Sequence, residues 1–279
     1  HLVREIDALG GVMGEAADES GFHYKTLNAS KGPAVRATRG QMDRDVYRSS
    51  IKRKLREQKD LYLFQQMVSG LKIHNGRIKG VILHGGEIIA AKVVILTVGT
   101  FLKGKIHIGN VSYPAGRAGD PSSVALANNM IDLGFKTGRL KTGTPPRIDV
   151  KSIDFSSLEE QFGDNPRPNF SFREQSTNEI PEMPCHITQT NERTHSLILA
   201  SLKKSPLYNG KISGTGPRYC PSIEDKVVKF SSRNSHQLFI EPEGLNSGEI
   251  YPNGISTSLP FDVQEQFIRT IKGFENAFI

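Results

Sequence analysis

Val93-Val-Ile-Leu-Thr-Val-Gly-Thr-Phe101 is the stretch on which the fold turns. Residues 92–98 carry no apolar–polar alternation after Lys92, the composition of a strand covered on both faces in a parallel sheet. The strand ends in Thr-x-Gly. Gly99 has no Cβ, so backbone there can approach a bound cofactor closely. A core strand followed by an ordinary turn carries the same letters, so the stretch must be read with its neighbours.

Upstream, Asn75-Gly76 between Leu71–His74 and Arg77–Leu83 is a strong hairpin signal. Gly85-Gly86 turns the chain again into Glu87–Ala91, and Leu61–Val68 reads as a further strand. Before these, Leu2, Ile6 and Leu9 mark a short helix stopped by Gly10-Gly11. A second helix ends near Gly21, and Phe22–Leu27 reads as a strand. Met42, Val46, Tyr47, Ile51 and Leu55 recur at helical spacing over 41–58, with Arg48, Lys52, Arg53, Lys54 and Arg56 on the opposite face.

Downstream, 99–147 is rich in Gly and Thr with one helix near Ser122–Leu133. Residues 148–190, with Pro166, Pro168, Pro181 and Pro184, read as irregular. Helices are expected at 191–204, 221–230 and 262–276, and short strands over 236–260. The order is helix, strand, β-meander, buried strand, then a mixed segment. It predicts an α/β fold: a Rossmann-like FAD-binding domain of the two-dinucleotide-binding flavoprotein type, with an antiparallel β-meander and an inserted α/β NADH-binding domain. The expected division is 1–145 for the FAD-binding domain, 146–265 for the inserted NADH or substrate domain, and 266–279 for a return to the first.

The chain has 279 residues, 37% of them hydrophobic, enough for a sizeable core. No run approaches the roughly 18 apolar residues that span a bilayer, so no membrane is expected. Lys and Arg number 36 against 29 Asp and Glu, a net charge of +7 that favours polyanionic partners, nucleic acid first, or else serves only as a solvated surface. Two cysteines, Cys185 and Cys220, are too few for a disulfide scaffold and suit a reducing cytoplasm. His1 opens without a start Met and Ala277-Phe278-Ile279 closes on apolar residues. Both ends read as cuts, giving the expectation of a segment of a longer protein that lacks both termini.

Four further stretches carry chemistry. In Gly216-Pro-Arg-Tyr-Cys-Pro-Ser-Ile-Glu-Asp-Lys226, Pro221 suits the first position of a helix, with Glu224 and Asp225 in its first turn. Cys220 then sits at or near the N-cap with Arg218 close in sequence. Both the helix dipole and the guanidinium favour thiolate, although a small buried apolar cysteine is the commoner fate of such a residue. In Ala29-Ser-Lys-Gly-Pro-Ala-Val-Arg-Ala-Thr-Arg39, the cations Lys31, Arg36 and Arg39 flank a Gly-Pro turn and could grip phosphate or stand in solvent. Gly116–Asp120 and Gly138–Arg147 could bring backbone amides to a nucleotide. The usual G-x-G-x-x-G fingerprint at a strand–helix junction is absent, so this segment alone is expected to bind FAD poorly. No metal site is expected, because Cys185, His186, His195 and Cys220 lack ligand spacing.

Taken together, 28–39, Thr97–Gly109, Gly138–Ile148, Gly216–Lys226 and Glu249–Val263 closely resemble the glucose-inhibited division protein A family, also called MnmG, in the family's own order along the whole chain. The resemblance implies a cytoplasmic, homodimeric enzyme that uses FAD and NADH. With the GTPase MnmE it adds a carboxymethylaminomethyl or aminomethyl group to C5 of the wobble uridine of tRNA, taking the one-carbon unit from methylenetetrahydrofolate. It implies FAD contacts at Val68, Gly99, Thr100 and Ser123. It implies an NAD-binding run of Gly216, Pro217, Arg218, Tyr219, Cys220, Pro221, Ser222, Ile223, Glu224, Asp225, Lys226, Val227, Val228, Lys229 and Phe230, with Cys220 a catalytic residue. The family places a glycine-rich loop and another cysteine just before His1, and a last FAD-contacting strand and a helical domain after Ile279, so the isolated segment is expected to be inactive. Competing readings are the folate- and FAD-dependent tRNA uridine methyltransferase of the same superfamily, a generic NADH-dependent flavin oxidoreductase, and a noncatalytic RNA-binding module. Arg36, Arg39 and the basic helix face Arg48–Arg56 are the expected RNA contacts.

Overall fold

Two small N-terminal helices form where the apolar and glycine pattern places them, α1 over Leu2–Ala8 and α2 over Met13–Ser20. Strand β1 (Gly21–Leu27) pairs antiparallel with β2 (Ala37–Met42), with Lys25 opposite Arg39. The computed structural model describes residues 1–173, 180–214, 216 and 221–279.

The basic helix α3 (Arg44–Glu57) starts three residues later than its apolar spacing suggested, because residues up to Met42 are spent in β2. Asp43 sets the boundary. Its Oδ1 accepts the Asp45 and Val46 backbone N–H groups, each at 3.0 Å, as an N-cap does. Its Oδ2 accepts Leu245 N at 2.8 Å, tying this end of α3 to a loop 202 residues away in sequence.

The meander is present: β3 (Val68–His74), β4 (Arg77–Leu83) and β5 (Ile88–Ala90) form a three-stranded antiparallel sheet around the Asn75-Gly76 turn. The two strands expected on either side of it are not. Residues 61–67 are irregular up to Val68, and 92–98 has no strand structure. Val93 is 72% and Ile95 82% exposed. A strand of unbroken apolar residues needs ladders on both edges and cover on both faces, and among the described residues nothing supplies them.

After this comes the hairpin β6 (Lys105–Ile108) and β7 (Val111–Pro114), then α4 (Val124–Asp132). The span 148–190, expected to be irregular, contributes three strands: β8 (Ile148–Asp149), β9 (Glu159–Gln161) and β10 (Cys185–Gln189). Helices α5 (Glu192–Ala200) and α6 (Ile223–Lys229) follow, then β11 (Gln237–Pro242), β12 (Glu249–Asn253) and α7 (Phe261–Ile268). Strands β8, β12, β11, β10 and β9 make one antiparallel sheet in that order. The last helix stops short of 276. The chain tightens into turns from Ile268 to Phe274, and Gly273 takes a left-handed φ of 84°.

All strand ladders among the described residues are antiparallel, so the sequence yields an α/β arrangement with antiparallel sheets. The core lies between the five-stranded sheet and α5, α6 and α7: Ile148, Ile198, Ile223, Val227, Leu238, Ile240, Ile255 and Phe267 meet there. Residues 266–279, which the expected division gives to the first domain, supply Ile268, Ile271, Phe274 and Ala277 to this same core. Among the described residues no helix is long and apolar enough to cross a membrane.

Candidate functional site

The uncovered segments meet. Residues 94–98, Phe64–Val68, Phe101, Pro121, Ser123 and Leu126 line one open, mainly apolar groove of about 630 Å³. It lies where the apolar run 92–98, lacking strand partners, passes the segment leading into β3 and the start of α4. Val68 and Ser123, 55 residues apart, therefore stand on the same groove. The floor is fixed by hydrogen bonds. Ser123 N donates to the Phe101 carbonyl at 2.9 Å, and Lys103 N donates to Ser123 O at 3.2 Å. Asn129 of α4 accepts Leu71 N at 2.8 Å, bracing helix against meander.

Gly99 adopts a left-handed φ of 54°, a conformation that favours glycine, and nothing lies within 4 Å of where its Cβ would stand. Thr100 Oγ1 donates to the Gly116 carbonyl at 2.8 Å, and a Cβ on Gly116 would strike the Phe101 ring. This ties the Gly116–Asp120 turn to the groove wall. Gly99 and Thr100 form the turn between the lining residues Val98 and Phe101 rather than lining the groove themselves.

Of the second run, Pro217, Arg218, Tyr219 and Cys220 lie outside the described residues. The N-cap of α6 is Ser222, whose Oγ accepts Asp225 N at 3.1 Å; Pro221 precedes it instead of opening the helix, and Cys220 is two residues before the cap. Ile223 and Val227 face the core, while Val228, Lys229 and Phe230 are exposed. Gly216 abuts the Lys141 side chain, and Lys141 Nζ lies 3.4 Å from Asp225 Oδ2. Burial raises the Asp225 pKa, but Lys229 at 3.1 Å and Lys141 outweigh it and hold the carboxyl below its ordinary value. Glu224 is completely buried. Its Oε1 accepts Ser205 Oγ, Thr257 Oγ1 and Ser258 N, while its Oε2 has no partner among the described residues. Lys226 Nζ donates to the Gly254 carbonyl at 2.8 Å.

The three cations of the N-terminal turn do not converge. Arg36 Nε donates to the Lys31 carbonyl at 3.0 Å and both residues are exposed. Arg39 instead faces the five-stranded sheet, 3.3 Å from Glu241 and over the Phe239 ring at 5.2 Å. Beside that pair, burial and then Glu241 push the Cys185 thiol up to about 12, so this cysteine is an inert core residue. Sequence reasoning missed Phe101, Leu126 and Asn129. Phe101 closes the Thr-x-Gly motif, and Leu126 and Asn129 fall on the helix expected at Ser122–Leu133.

The family described as glucose inhibited division protein A matches residues 1–279. The chain belongs to that family. It is similar to the structure of Aquifex aeolicus GidA in its form I crystal, at 46% identity and a TM-score of 0.91, covering 99% of this chain and 47% of that one. The form II crystal of the same protein is 43% identical with a TM-score of 0.89, covering 99% of this chain and 45% of that one. The chain thus spans about half the length of these family members. The groove suits a flavoprotein of this family in its chemistry. Mainly apolar walls, a glycine turn open to solvent and a few polar groups, among them Thr97 and Ser123, can receive a planar aromatic ring system with few directed polar contacts.

Proposed function

We propose that this chain is the cofactor-handling segment of a flavin-dependent enzyme that modifies the wobble uridine of tRNA. The observation that carries the proposal is the family match over residues 1–279. The groove that joins Val68 and Ser123 beside Gly99 supports it. Under this reading 1–145 belongs to a Rossmann-like FAD-binding domain, and 146–265 is an inserted NADH-binding domain that uses the run 216–230. The intact protein works in the cytoplasm as a homodimer with the GTPase MnmE, and methylenetetrahydrofolate supplies the carbon that becomes part of the carboxymethylaminomethyl or aminomethyl group.

Val68 and Ser123 would hold the FAD, with Gly99 and Thr100 forming the turn beside it, and the bound flavin would supply the redox chemistry. Cys220 is the nucleophile. Its thiolate adds to C6 of the uridine, the C5=C6 electron pair moves toward C5 and O4, and C5 attacks the carbon of a methylene iminium, whose C=N electron pair moves to nitrogen. Loss of the C5 proton then expels the thiolate. The test is the intact protein with its GTPase partner and GTP, given NADH, methylenetetrahydrofolate, an amine donor (glycine or ammonium) and tRNA. Bleaching of its flavin by NADH and a mass gain on the tRNA uridine are expected. A protein that binds no flavin, or whose Cys220→Ala variant turns over normally, overturns the respective part of the proposal.

A further inference from the structure

Cations on α3, the helix expected to face RNA, are largely answered by carboxylates. Arg48 lies against Asp45, Arg53 against Glu19, and Lys54 against Glu15 and Glu19. The β6–β7 hairpin differs. Lys105 and His107, two apart on β6, share one face of the strand. Arg139 Nη1 donates to the Lys103 carbonyl at 2.9 Å, and Lys103 is held at a φ of 50°. Lys211 Nζ reaches Asn110 Oδ1 in the hairpin turn at 3.0 Å, and Lys103 Nζ reaches Asn128 Oδ1 at 3.0 Å. Burial and then Lys105, Arg139 and Lys211 lower the His107 pKa, so all three cations are close enough for it to feel their charge. Among the described residues none of Lys103, Lys105, Arg139 and Lys211 has a carboxylate partner; the side-chain bonds of Lys103, Arg139 and Lys211 go to amide and carbonyl oxygens.

Like charges gathered without a counter-ion repel one another, and an anionic ligand relieves that repulsion. The patch adjoins both candidate cofactor segments. Lys103 N bonds Ser123 O at 3.2 Å, and a Cβ on Gly214 would meet the Arg139 carbonyl. A pyrophosphate is typically cradled by backbone amides at a helix N-terminus. Here the charge is carried by exposed side chains spread over a hairpin and two loops, which suits a phosphodiester backbone followed over several units.

The geometry points to the face formed by Lys103, Lys105, His107, Arg139 and Lys211 as the surface that takes the sugar–phosphate backbone of the RNA substrate. This rests on the reading of the protein as an RNA-modifying enzyme. The test uses the full-length protein with unmodified tRNA over a salt series, comparing wild type, Lys105→Glu/Lys211→Glu, and Lys79→Glu/Lys151→Glu as a control on other surfaces. The first double variant is expected to bind tRNA at least about tenfold more weakly at low salt, with the log–log salt slope shallower by about two. Its NADH affinity and the control variant are expected to match wild type. If charge reversal unfolds the protein, Lys105→Gln/Lys211→Gln carries the same expected change in slope. Wild-type tRNA affinity and slope in these variants overturn the inference alone, as does a loss confined to NADH, which assigns the patch to the dinucleotide. A wild-type protein with no salt-dependent tRNA binding overturns the inference together with the reading beneath it.

Discussion

Asn129 Oδ1 accepts the backbone N–H of Leu71 at 2.8 Å, so one side chain of α4 completes a hydrogen bond of β3. Close approach at that point depends on Gly70, where a Cβ would come within 3.2 Å of the Asn129 amide carbon. Val68 lies two residues before this glycine and Ser123 stands at the N-terminal end of the same helix, so the bond braces two walls of the candidate flavin groove against each other. Asn129→Leu removes the acceptor and leaves the strand N–H unpaired, an expected loss of about 1–3 kcal/mol. Urea denaturation of the intact protein checks the stability, and flavin titration checks for a weaker cofactor affinity. Unchanged values in both contradict the bracing role.

How much of this was legible in the sequence follows the range of each signal. The Asn75-Gly76 hairpin, the start of β1 and the helix at Val124–Asp132 are local, and they stand where the residues put them. Strand β10 was not legible. Cys185–Gln189 has little apolar character of its own and is a strand because β9 and β11 pair with both its edges. The error at 92–98 has the opposite cause, since composition there describes a strand whose pairing depends on other chain segments. Within the site, the Thr-x-Gly signal located the groove, yet nothing local could show that Arg39 turns away to Glu241. The same limit hid Asn129, because its partner is 58 residues away.

Gly116 tests the groove wall. Its Cβ would strike the Phe101 ring near its root, where the side chain cannot swing clear, and Thr100 Oγ1 already holds the Gly116 carbonyl at 2.8 Å. Gly116→Ala therefore displaces Phe101 along the groove and costs about 1–3 kcal/mol as overpacking. Flavin affinity is expected to fall about tenfold. A variant that binds flavin as tightly as wild type shows that Phe101 is not part of the cofactor wall.

Glu224 organises the loop 256–258 against α6. With three donors on Oε1 and none on Oε2 among the described residues, its loss leaves Ser205, Thr257 and Ser258 without this acceptor. Glu224→Ala is expected to destabilise by about 3 kcal/mol, and Glu224→Gln, which keeps the acceptor oxygen, by about 1 kcal/mol. Thermal melts of the two variants give the comparison. Equal effects would mean that the acceptor oxygen is irrelevant and only side-chain volume matters.

His195 and His236 set a pH dependence with a definite sign. Their rings stack at 5.2 Å, both residues are buried, and Thr190 joins them: its Oγ1 bonds His195 Nε2 at 2.7 Å and accepts His236 N at 2.8 Å. Burial lowers both pKa values; around His236 the neighbouring His195, Lys226 and Arg233 lower it further, while Glu192 partly opposes the shift at His195. A histidine with a depressed folded pKa is neutral in the fold and charges more readily when unfolded, at about 6.5. Its contribution is complete above that value and is lost as pH falls toward the folded pKa, because the unfolded chain then binds more protons. Each ring can add a slope of at most about 1.4 kcal/mol per pH unit. Buried Asp18 and Glu241, with raised pKa values, act in the opposite sense, so the histidine share is isolated by comparing wild type with His195→Gln/His236→Gln. Urea unfolding between pH 7.5 and 5.5 is expected to show wild-type stability falling and the double variant falling less steeply. Parallel lines for the two proteins would mean that the pair does not titrate against the fold.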